Sequence, residues 1–327
     1  LKHHKAKPTP NQLKYIFVLT DGEENLPPPR GTENSIKKWW HDNPTIRCPI
    51  CTFGFGYRLN SRQLNEIATF SYDVDIYTGS FTFIPDSSIL GTAFIHAIAN
   101  LRSKAYHNVL YTNSEGLVKS LGPIQFGQEY NFIVPSKSPE NTHKILFCNS
   151  SKSFELELKS DINTPEDYSN FTICKIRDQL DEAFDKIINY SDIQHYDLAK
   201  EELEKIIAII SEQLSKPFTA EIIKYLKNII EDLNGQVRQA ISRPDYYERW
   251  GRHYLLSLKN AHKLKECNNF KDPGIQDYGG DFFREVRDMA DEKFNELPPP
   301  IPSNRARVYG SSGAMRGGGG VMRGGGG

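Results

Sequence analysis

The chain has 327 residues, of which 40 are basic and 41 acidic, and its formal net charge is −1. A chain of this length holds two or three domains and is long enough to bury a substantial core. The neutral balance disfavours nucleic acid or a polybasic membrane surface as partners, because both rely on excess positive charge. No apolar run reaches the about 18 residues that a membrane helix needs.

The first region, residues 1–103, alternates apolar runs with helical patterns. Strands are predicted at 13–22, 46–56 and 77–84, and helices at 34–43, 61–70 and 87–101. We expect Ser61 to be the N-cap of the second helix. The third helix carries Leu90, Phe94, Ile98 and Leu101 on one stripe. Continuously apolar strands that alternate with helices predict an α/β sandwich with a parallel sheet covered on both faces.

In the second region, residues 104–162, the spacing of the apolar residues changes. Short apolar runs at 108–113, 116–122, 130–136, 143–149 and 153–159 are separated by Asn, Gly, Ser and Pro. This pattern predicts a small antiparallel β module.

The third region, residues 163–300, is predicted to be helical. Apolar residues recur every three or four positions from Ile222 to Val237 and again from Tyr247 to Ala261. Asp272-Pro273-Gly274 fits a type II turn, and a last helix is expected over Asp281–Asn295. The glycine-rich segment 301–327 is predicted to be a flexible tail.

The five cysteines are scattered, and two of them, Cys48 and Cys51, have the spacing of a zinc or redox pair. Both fall in a predicted strand, where residues three apart point to opposite faces. A zinc site also needs further ligands, so we interpret these cysteines as structural. The cysteine usage favours a reducing, cytoplasmic location.

The sharpest local motif is Thr20-Asp21-Gly22-Glu23-Glu24, at the carboxyl end of the first predicted strand. Ligands of open α/β sheets bind beyond the carboxyl ends of the strands. A carboxylate there can hold a hard cation such as Mg²⁺. The alternative from the residues alone is an ordinary turn, in which Asp21 caps the next loop.

The order of TDGEE, CTFGFG and GSFTFIPD resembles the second half of a von Willebrand factor type A (VWA) domain. The resemblance implies a metal-ion-dependent adhesion site in which Asp21 is the ligand from the third loop and Mg²⁺ or another divalent cation binds a protein ligand. The first two metal loops would precede Asp21, where only twenty residues stand, so the site is expected to be incomplete in this chain. Such a partial sheet would expose a strand edge, which predicts self-association.

The helical string from YYERWGRHY to KFNELPPP resembles the Vwaint region that follows VWA domains in proteins with a C-terminal Hint (Hedgehog/intein-like) domain. The resemblance implies that a Hint domain follows in the parent protein. No cysteine follows Cys267, so its nucleophile is absent here and both ends of the chain are expected to be cut. We expect a non-enzymatic protein-interaction module; the alternative is the N-terminal partner region of a self-processing Hint protein.

Other catalytic patterns are weak. The sequence has no G-x-S-x-G, H-E-x-x-H or G-x-x-x-x-G-K-[ST] motif. His253 is expected on a polar helix face, too far from His262 for a shared site, and Cys267 is interpreted as structural. Arg316 and Arg323, each followed by glycines, leave weak RNA association as a further alternative to a flexible linker.

Overall fold

The computed structural model describes residues 14–23, 26–43, 48–69, 79–134, 142–148, 153–158 and 165–298. Contacts divide the chain into one compact unit that runs to Asp291 and a second that begins at Glu292. The glycine-rich segment 301–327 lies outside the described residues, and the domain boundaries drawn after residues 103, 162 and 300 stay predictions. No helix in the described ranges combines the length and hydropathy that crossing a bilayer requires.

The first sheet has three parallel strands in the order β1-β2-β3: β1 (Ile16–Thr20), β2 (Ile50–Phe55) and β3 (Phe81–Ile84). The central strand is the most buried, and its Phe53 is fully buried. Thr20 lies opposite Gly54 in the register, so β1 and β2 end at the same edge. The predicted parallel sheet is confirmed; residues 13, 46–47 and 77–78 of the predicted strands lie outside the described residues.

In the described part of the chain, β1 pairs with β2 alone and forms the edge of this sheet. Its residues Phe17, Val18 and Leu19 are 37%, 37% and 49% exposed. Exposed apolar residues on an edge strand are a general liability for association. The expected self-association of the chain stays a prediction.

Two helices connect the parallel strands, α1 (Thr32–Asp42) between β1 and β2 and α2 (Ser61–Thr69) between β2 and β3. A third helix, α3 (Leu90–Ser103), follows β3 after a turn of 3-10 helix at Ser87–Ile89 and leads out of this sheet. Trp40 of α1 packs with Ile50 of β2. Parallel neighbouring strands require such crossover connections, because a tight turn can only join antiparallel strands.

Two details of these helices differ from expectation. Ser61 is the first helical residue, and the backbone N–H of Gln63 donates to Asn60 Oδ1 at 3.1 Å, so Asn60 is the cap and Ser61 is not. In α3, Ile98 is 41% exposed, whereas His96 and Asn100 are buried. The buried face of α3 is therefore partly polar, because both of these side chains contact the backbone carbonyl of Cys267.

The second sheet is antiparallel and has the order β5-β4-β6-β7. Its strands are β4 (Lys104–Asn113), β5 (Val118–Gln125), β6 (His143–Cys148) and β7 (Ser153–Leu158). The predicted β module is confirmed, but the strand expected at 130–136 is wrong over its described part, 130–134. Phe132 in that segment packs against Tyr111 as part of the core of the sheet, which explains its apolar pattern.

The helical region is confirmed. It contains two long helices, a series of shorter helical segments around two π-helical turns, and a last helix. They are α4 (Pro165–Asp192), α5 (Tyr196–Gln213), α6 (Ala220–Asp232), a π turn (Leu233–Val237), α7 (Arg238–Ala240), α8 (Pro244–Tyr246), a second π turn (Tyr247–Gly251), α9 (Arg252–Leu264), a 3-10 helix (Pro273–Tyr278) and α10 (Asp281–Asn295). Phe184, Leu203, Leu226 and Leu255 are among the residues of its core.

The predicted type II turn at Asp272-Pro273-Gly274 is wrong. Pro273 opens the 3-10 helix, and Gly274 does not have the positive φ that a type II turn needs at that position. Gly274 is required for another reason. A Cβ atom there would lie 2.5 Å from Asp232 Oδ2, so only glycine allows this close approach to α6.

Candidate functional site

Asp21 lies at the carboxyl edge of the parallel sheet, in the turn that follows β1. The turn is held by the Thr20 hydroxyl, whose Oγ1 lies 3.2 Å from the carbonyl oxygen of Gly22 and 3.4 Å from its nitrogen. The Asp21 side chain is exposed. Because β1 and β2 end together, Asp21 meets the loop that follows β2.

Asp21 and Glu23 line an open cleft of about 640 Å³, together with Arg58 and Arg252. Two carboxylates and two guanidinium groups therefore share one cleft at the edge of the sheet. In the parts of the chain that the structure describes, no group of three or more His, Cys, Asp or Glu side chains is placed to hold a metal ion. The assignment of Asp21 as a metal ligand stays a prediction.

His253 of α9 is buried, with 1% of its surface exposed, so its expected place on a polar helix face is wrong. Its Nδ1 lies 2.8 Å from Ser61 Oγ and its Nε2 lies 3.4 Å from the carbonyl oxygen of Tyr57. Burial lowers the pKa of His253 to about 4, which keeps the ring neutral at pH 7. Nε2 then donates to Tyr57 and Nδ1 accepts from Ser61, and the ring fastens α9 to the loop after β2.

A second cavity, of about 490 Å³, lies beyond the end of β3 and has aromatic walls. Aromatic side chains that line it are those of Tyr57, Phe83, Tyr246, Trp250, Tyr254 and Phe270. Tyr57 also lines the cleft of Asp21, so the two openings adjoin at this side chain, which is 42% exposed. The Arg249 guanidinium lies 5.2 Å from the centre of the Tyr57 ring. Sequence periodicity assigns most of these aromatics to strand or helix stripes and gives no sign of the cavity.

Both π-helical turns border the aromatic cavity. Gln236 comes from the first, and Arg249 and Trp250 come from the second. The extra residue in a π turn changes the direction of the side chains that follow it, and such turns are frequent at functional sites. The second π turn also packs closely on α7, because a Cβ atom on Gly251 would lie 2.5 Å from the carbonyl oxygen of Ala240.

Two buried carboxylates lie at the aromatic cavity: Asp272 lines it, and Asp232 lies near Asp272. Asp272 accepts from the Tyr254 hydroxyl at 3.0 Å and from Asn269 Nδ2 at 2.8 Å. Asp232 accepts the backbone N–H of Gly274 at 2.7 Å. Burial, reinforced by the charge of Asp272, raises the pKa of Asp232 to about 8. These bonds hold the segment after α9 against α6 and fix the shape of the cavity.

The cysteine and histidine considered for catalysis make structural contacts. Cys267 is buried, its thiol donates toward the carbonyl oxygen of Asn269 at 3.3 Å, and burial raises its pKa to about 12. A thiol that stays protonated is a poor nucleophile. His262 Nδ1 lies 2.9 Å from the Tyr278 hydroxyl, and burial lowers its pKa to about 3.

Cys48 and Cys51 are both buried free thiols. Burial raises the pKa of each, which agrees with their interpretation as structural cysteines. Cys48 precedes β2 instead of lying within it.

Comparison with known proteins gives one family and one structure. The family model described as VWA / Hh protein intein-like (Vwaint) matches residues 223–292, from α6 into α10. No curated protein matches the chain. Among solved structures, the ArnB paralog VWA2 from Sulfolobus acidocaldarius matches with 15% identity and a TM-score of 0.37, over 73% of this chain and 64% of that protein. The chain therefore spans less than two thirds of that protein's length. The helical segment that carries both π turns is thus similar to the Vwaint family.

Proposed function

We propose that this chain is a non-enzymatic interaction module that binds a protein ligand at the carboxyl edge of its parallel sheet. The observation that carries the proposal is the junction at Tyr57, where the charged cleft of Asp21 adjoins the aromatic cavity. A ligand that presents a carboxylate beside an aromatic side chain fits both openings at once. Aromatic side chains and arginine are also the residue types most enriched where protein interfaces concentrate their binding energy.

The metal part of the proposal rests on Asp21 and on the VWA resemblance of the surrounding motifs. A divalent cation held by Asp21 would accept the ligand carboxylate as a further oxygen. Among the described residues few oxygens accompany Asp21, so the proposal expects a low affinity for the ion in this chain.

A second candidate needs no metal. Arg58 and Arg252 are exposed and line the same cleft, so they can pair directly with a ligand carboxylate. Both candidates place the same ligand chemistry at the same edge, and they differ in whether chelation matters.

The metal candidate is tested with Mn²⁺ as the probe and NMR spectra of the chain as the readout. We expect Mn²⁺ to broaden the amide signals of Gly22 and Tyr57, with a dissociation constant of about 1 mM or weaker. Asp21→Asn should abolish this broadening, whereas Glu201→Gln, an exposed change on α5, should leave it unchanged. Equal broadening in the Asp21→Asn variant would refute the assignment of Asp21.

The aromatic cavity is tested with two matched small probes, indole-3-propionate and the uncharged indole-3-propanol. We expect both to shift the indole N–H signal of Trp250, and the carboxylate to bind more tightly. If neither probe shifts that signal, the cavity does not accept aromatic groups and the proposal loses its main support. Equal affinity for the two probes would show that Arg58, Arg252 and the metal do not contribute to binding a carboxylate.

Two alternatives for the parent protein stay open. One is a partner region for a self-processing Hint domain, and the Vwaint match is the reason to retain it. The other is weak RNA association through Arg316 and Arg323, which lie outside the described residues. A cytoplasmic location stays a prediction; the described cysteines are free thiols.

A further inference from the structure

Two cations, Arg177 of α4 and Lys265 after α9, line the same cavity of about 920 Å³. This cavity is separate from both openings at the sheet edge. Lys265 is only 9% exposed, and Tyr225 and Tyr278, which also line the cavity, are 6% and 3% exposed. These buried residues define the inner end of the cavity, and the two cations are the charged groups they bring there.

Neither cation forms an ion pair with a carboxylate in the ranges that the structure describes. Lys265 Nζ lies 3.3 Å from the centre of the Tyr130 ring and donates to the carbonyl oxygen of Asn131 at 3.2 Å. Arg177 Nε donates to the Tyr225 hydroxyl at 3.0 Å, and its guanidinium carbon lies 5.7 Å from the centre of the Tyr278 ring.

Another buried cation of this fold has a carboxylate partner, which is the residue that follows Lys265 in the sequence. Glu266 pairs with Lys104 at 2.8 Å, and both side chains are buried. Burying a charge without a counter-ion is costly. In the described residues no carboxylate is in ion-pair contact with Lys265 or Arg177, so an anion from outside the protein can supply the counter-charge.

Carboxylates do line the cavity, but at its rim. Glu129, Glu221 and Asp277 are all exposed, and they are accompanied there by the exposed Lys224 and Arg284. Asp178 lies close enough to favour the charged form of Lys265, yet it is exposed and does not line this cavity. Asp178 and Asp181 line an adjoining cavity with the same two cations. Exposed charges are screened by water, so at the inner end of this cavity the field comes mainly from the buried Lys265 and the half-buried Arg177.

The backbone of Lys265 is also unusual. It adopts a left-handed conformation, with φ of 52° and ψ of 48°, at the position after α9 where glycine is preferred. Burial and the nearby charge of Arg177 lower the pKa of Lys265 to about 7. Lys265 therefore carries two unfavourable features, a left-handed backbone and a neighbouring cation. A glycine at this position would have neither.

We propose that the inner end of this cavity binds the phosphoryl group of a phosphorylated small molecule. Arg177 and the protonated form of Lys265 carry two positive charges, which match a phosphate dianion better than a carboxylate with its single charge. The planar guanidinium of Arg177 can bind two phosphate oxygens, and the ammonium of Lys265 can bind a third. The remaining volume, within the usual range of ligand pockets, holds the organic part of the molecule.

The test measures the melting temperature of the full chain in sodium phosphate and sodium pyrophosphate, against sodium chloride at equal ionic strength. At saturating anion we expect a rise of about 5 °C in phosphate or pyrophosphate over chloride. Lys265→Met should melt higher than the wild type in chloride, because it removes an unpaired buried charge, and should lose the rise in phosphate.

Lys227→Met is the matched control, since Lys227 is exposed on α6 and does not line the cavity. It should keep the full rise in phosphate. Phosphorus NMR gives a direct readout, in which the pyrophosphate signal broadens with the wild type and not with Lys265→Met. Equal melting temperatures of the wild type in phosphate and chloride, or a rise that persists in Lys265→Met, would overturn the proposal.

Discussion

Lys104 Nζ lies 2.8 Å from Glu266 Oε1, and the two side chains are 4% and 6% exposed. The pair joins the start of the antiparallel sheet to the segment that follows α9. In the low dielectric of the interior, each charge depends on the other, since neither can be solvated there.

Removing one member of this pair should be strongly destabilising. We expect Lys104→Met to lower the free energy of unfolding by about 3–5 kcal/mol, because it leaves the Glu266 carboxylate buried and unpaired. The double variant Lys104→Met with Glu266→Leu should recover most of that loss. Lys144→Met, which breaks the exposed pair with Glu155, should cost about 1 kcal/mol or less. Urea denaturation of the four proteins checks this, and similar losses for Lys104→Met and Lys144→Met would contradict it.

Asp232 predicts a pH-dependent effect. Burial raises the pKa of its carboxyl in the folded protein from the ordinary value of 3.8 to about 8. The native state therefore keeps a proton that the unfolded chain releases, and this contribution to stability is lost as pH rises from about 4 to about 8. Asp232→Asn lacks that loss and can still accept the Gly274 N–H.

The stability of Asp232→Asn relative to wild type should therefore increase with pH, by at most about 1.4 kcal/mol per pH unit. Urea denaturation at pH 5 and pH 8 measures the change. Asp277→Asn, an exposed substitution on the neighbouring 3-10 helix, should show no such trend. A difference for Asp232→Asn that does not vary with pH would contradict the assignment.

His253 predicts the opposite dependence on pH. Burial lowers its pKa in the folded protein from the ordinary value of 6.5 to about 4, so between these values the unfolded chain binds a proton that the native state does not. This makes the protein less stable as pH falls from about 6.5 to about 4. In His253→Gln the slope over that range should decrease by about 1.4 kcal/mol per pH unit.

His41→Gln is the control for this slope, because His41 is exposed on α1. It should leave the slope as in the wild type. Chemical denaturation at several pH values between 4 and 7 provides the data. An unchanged slope in His253→Gln would show that the ring is charged in the folded protein.

The two π turns allow a matched glycine experiment. Gly251→Ala should destabilise the protein by about 1–3 kcal/mol, because the new methyl group would meet the Ala240 backbone at 2.5 Å. Gly235→Ala, in the other π turn, meets nothing within 4 Å and should be neutral or stabilising by up to about 1 kcal/mol. Thermal denaturation compares the two, and an equal effect of both variants would refute the steric explanation.

Most of the secondary structure could be predicted from the sequence, because local apolar periodicity reports the buried face of each element. The run around Phe53 predicts a buried strand, and the last helix is found at its predicted bounds, Asp281–Asn295. Apolar periodicity is misleading where apolar residues are buried in a segment without regular secondary structure. Phe132 has the pattern of a strand, yet it belongs to an irregular segment that covers a sheet.

The candidate sites were less predictable. Asp21 could be found because a Thr-Asp-Gly sequence after an apolar strand has a known structural context, although its metal role stays a prediction. The buried position of His253 could not be predicted, because its partners Ser61 and the Tyr57 carbonyl are remote in the sequence. No periodicity reports a contact of that kind.

The sequence by itself determined the order of the elements and the change from parallel sheet to β module to helices, since these depend on interactions between near neighbours. Only the tertiary structure decided which polar groups are buried and what they face. Lys265 and Glu266 are adjacent charged residues in a polar stretch, and nothing local separates them. Folding pairs Glu266 with Lys104 and places Lys265 beside Arg177, because long-range packing alone decides which charges share a low-dielectric site.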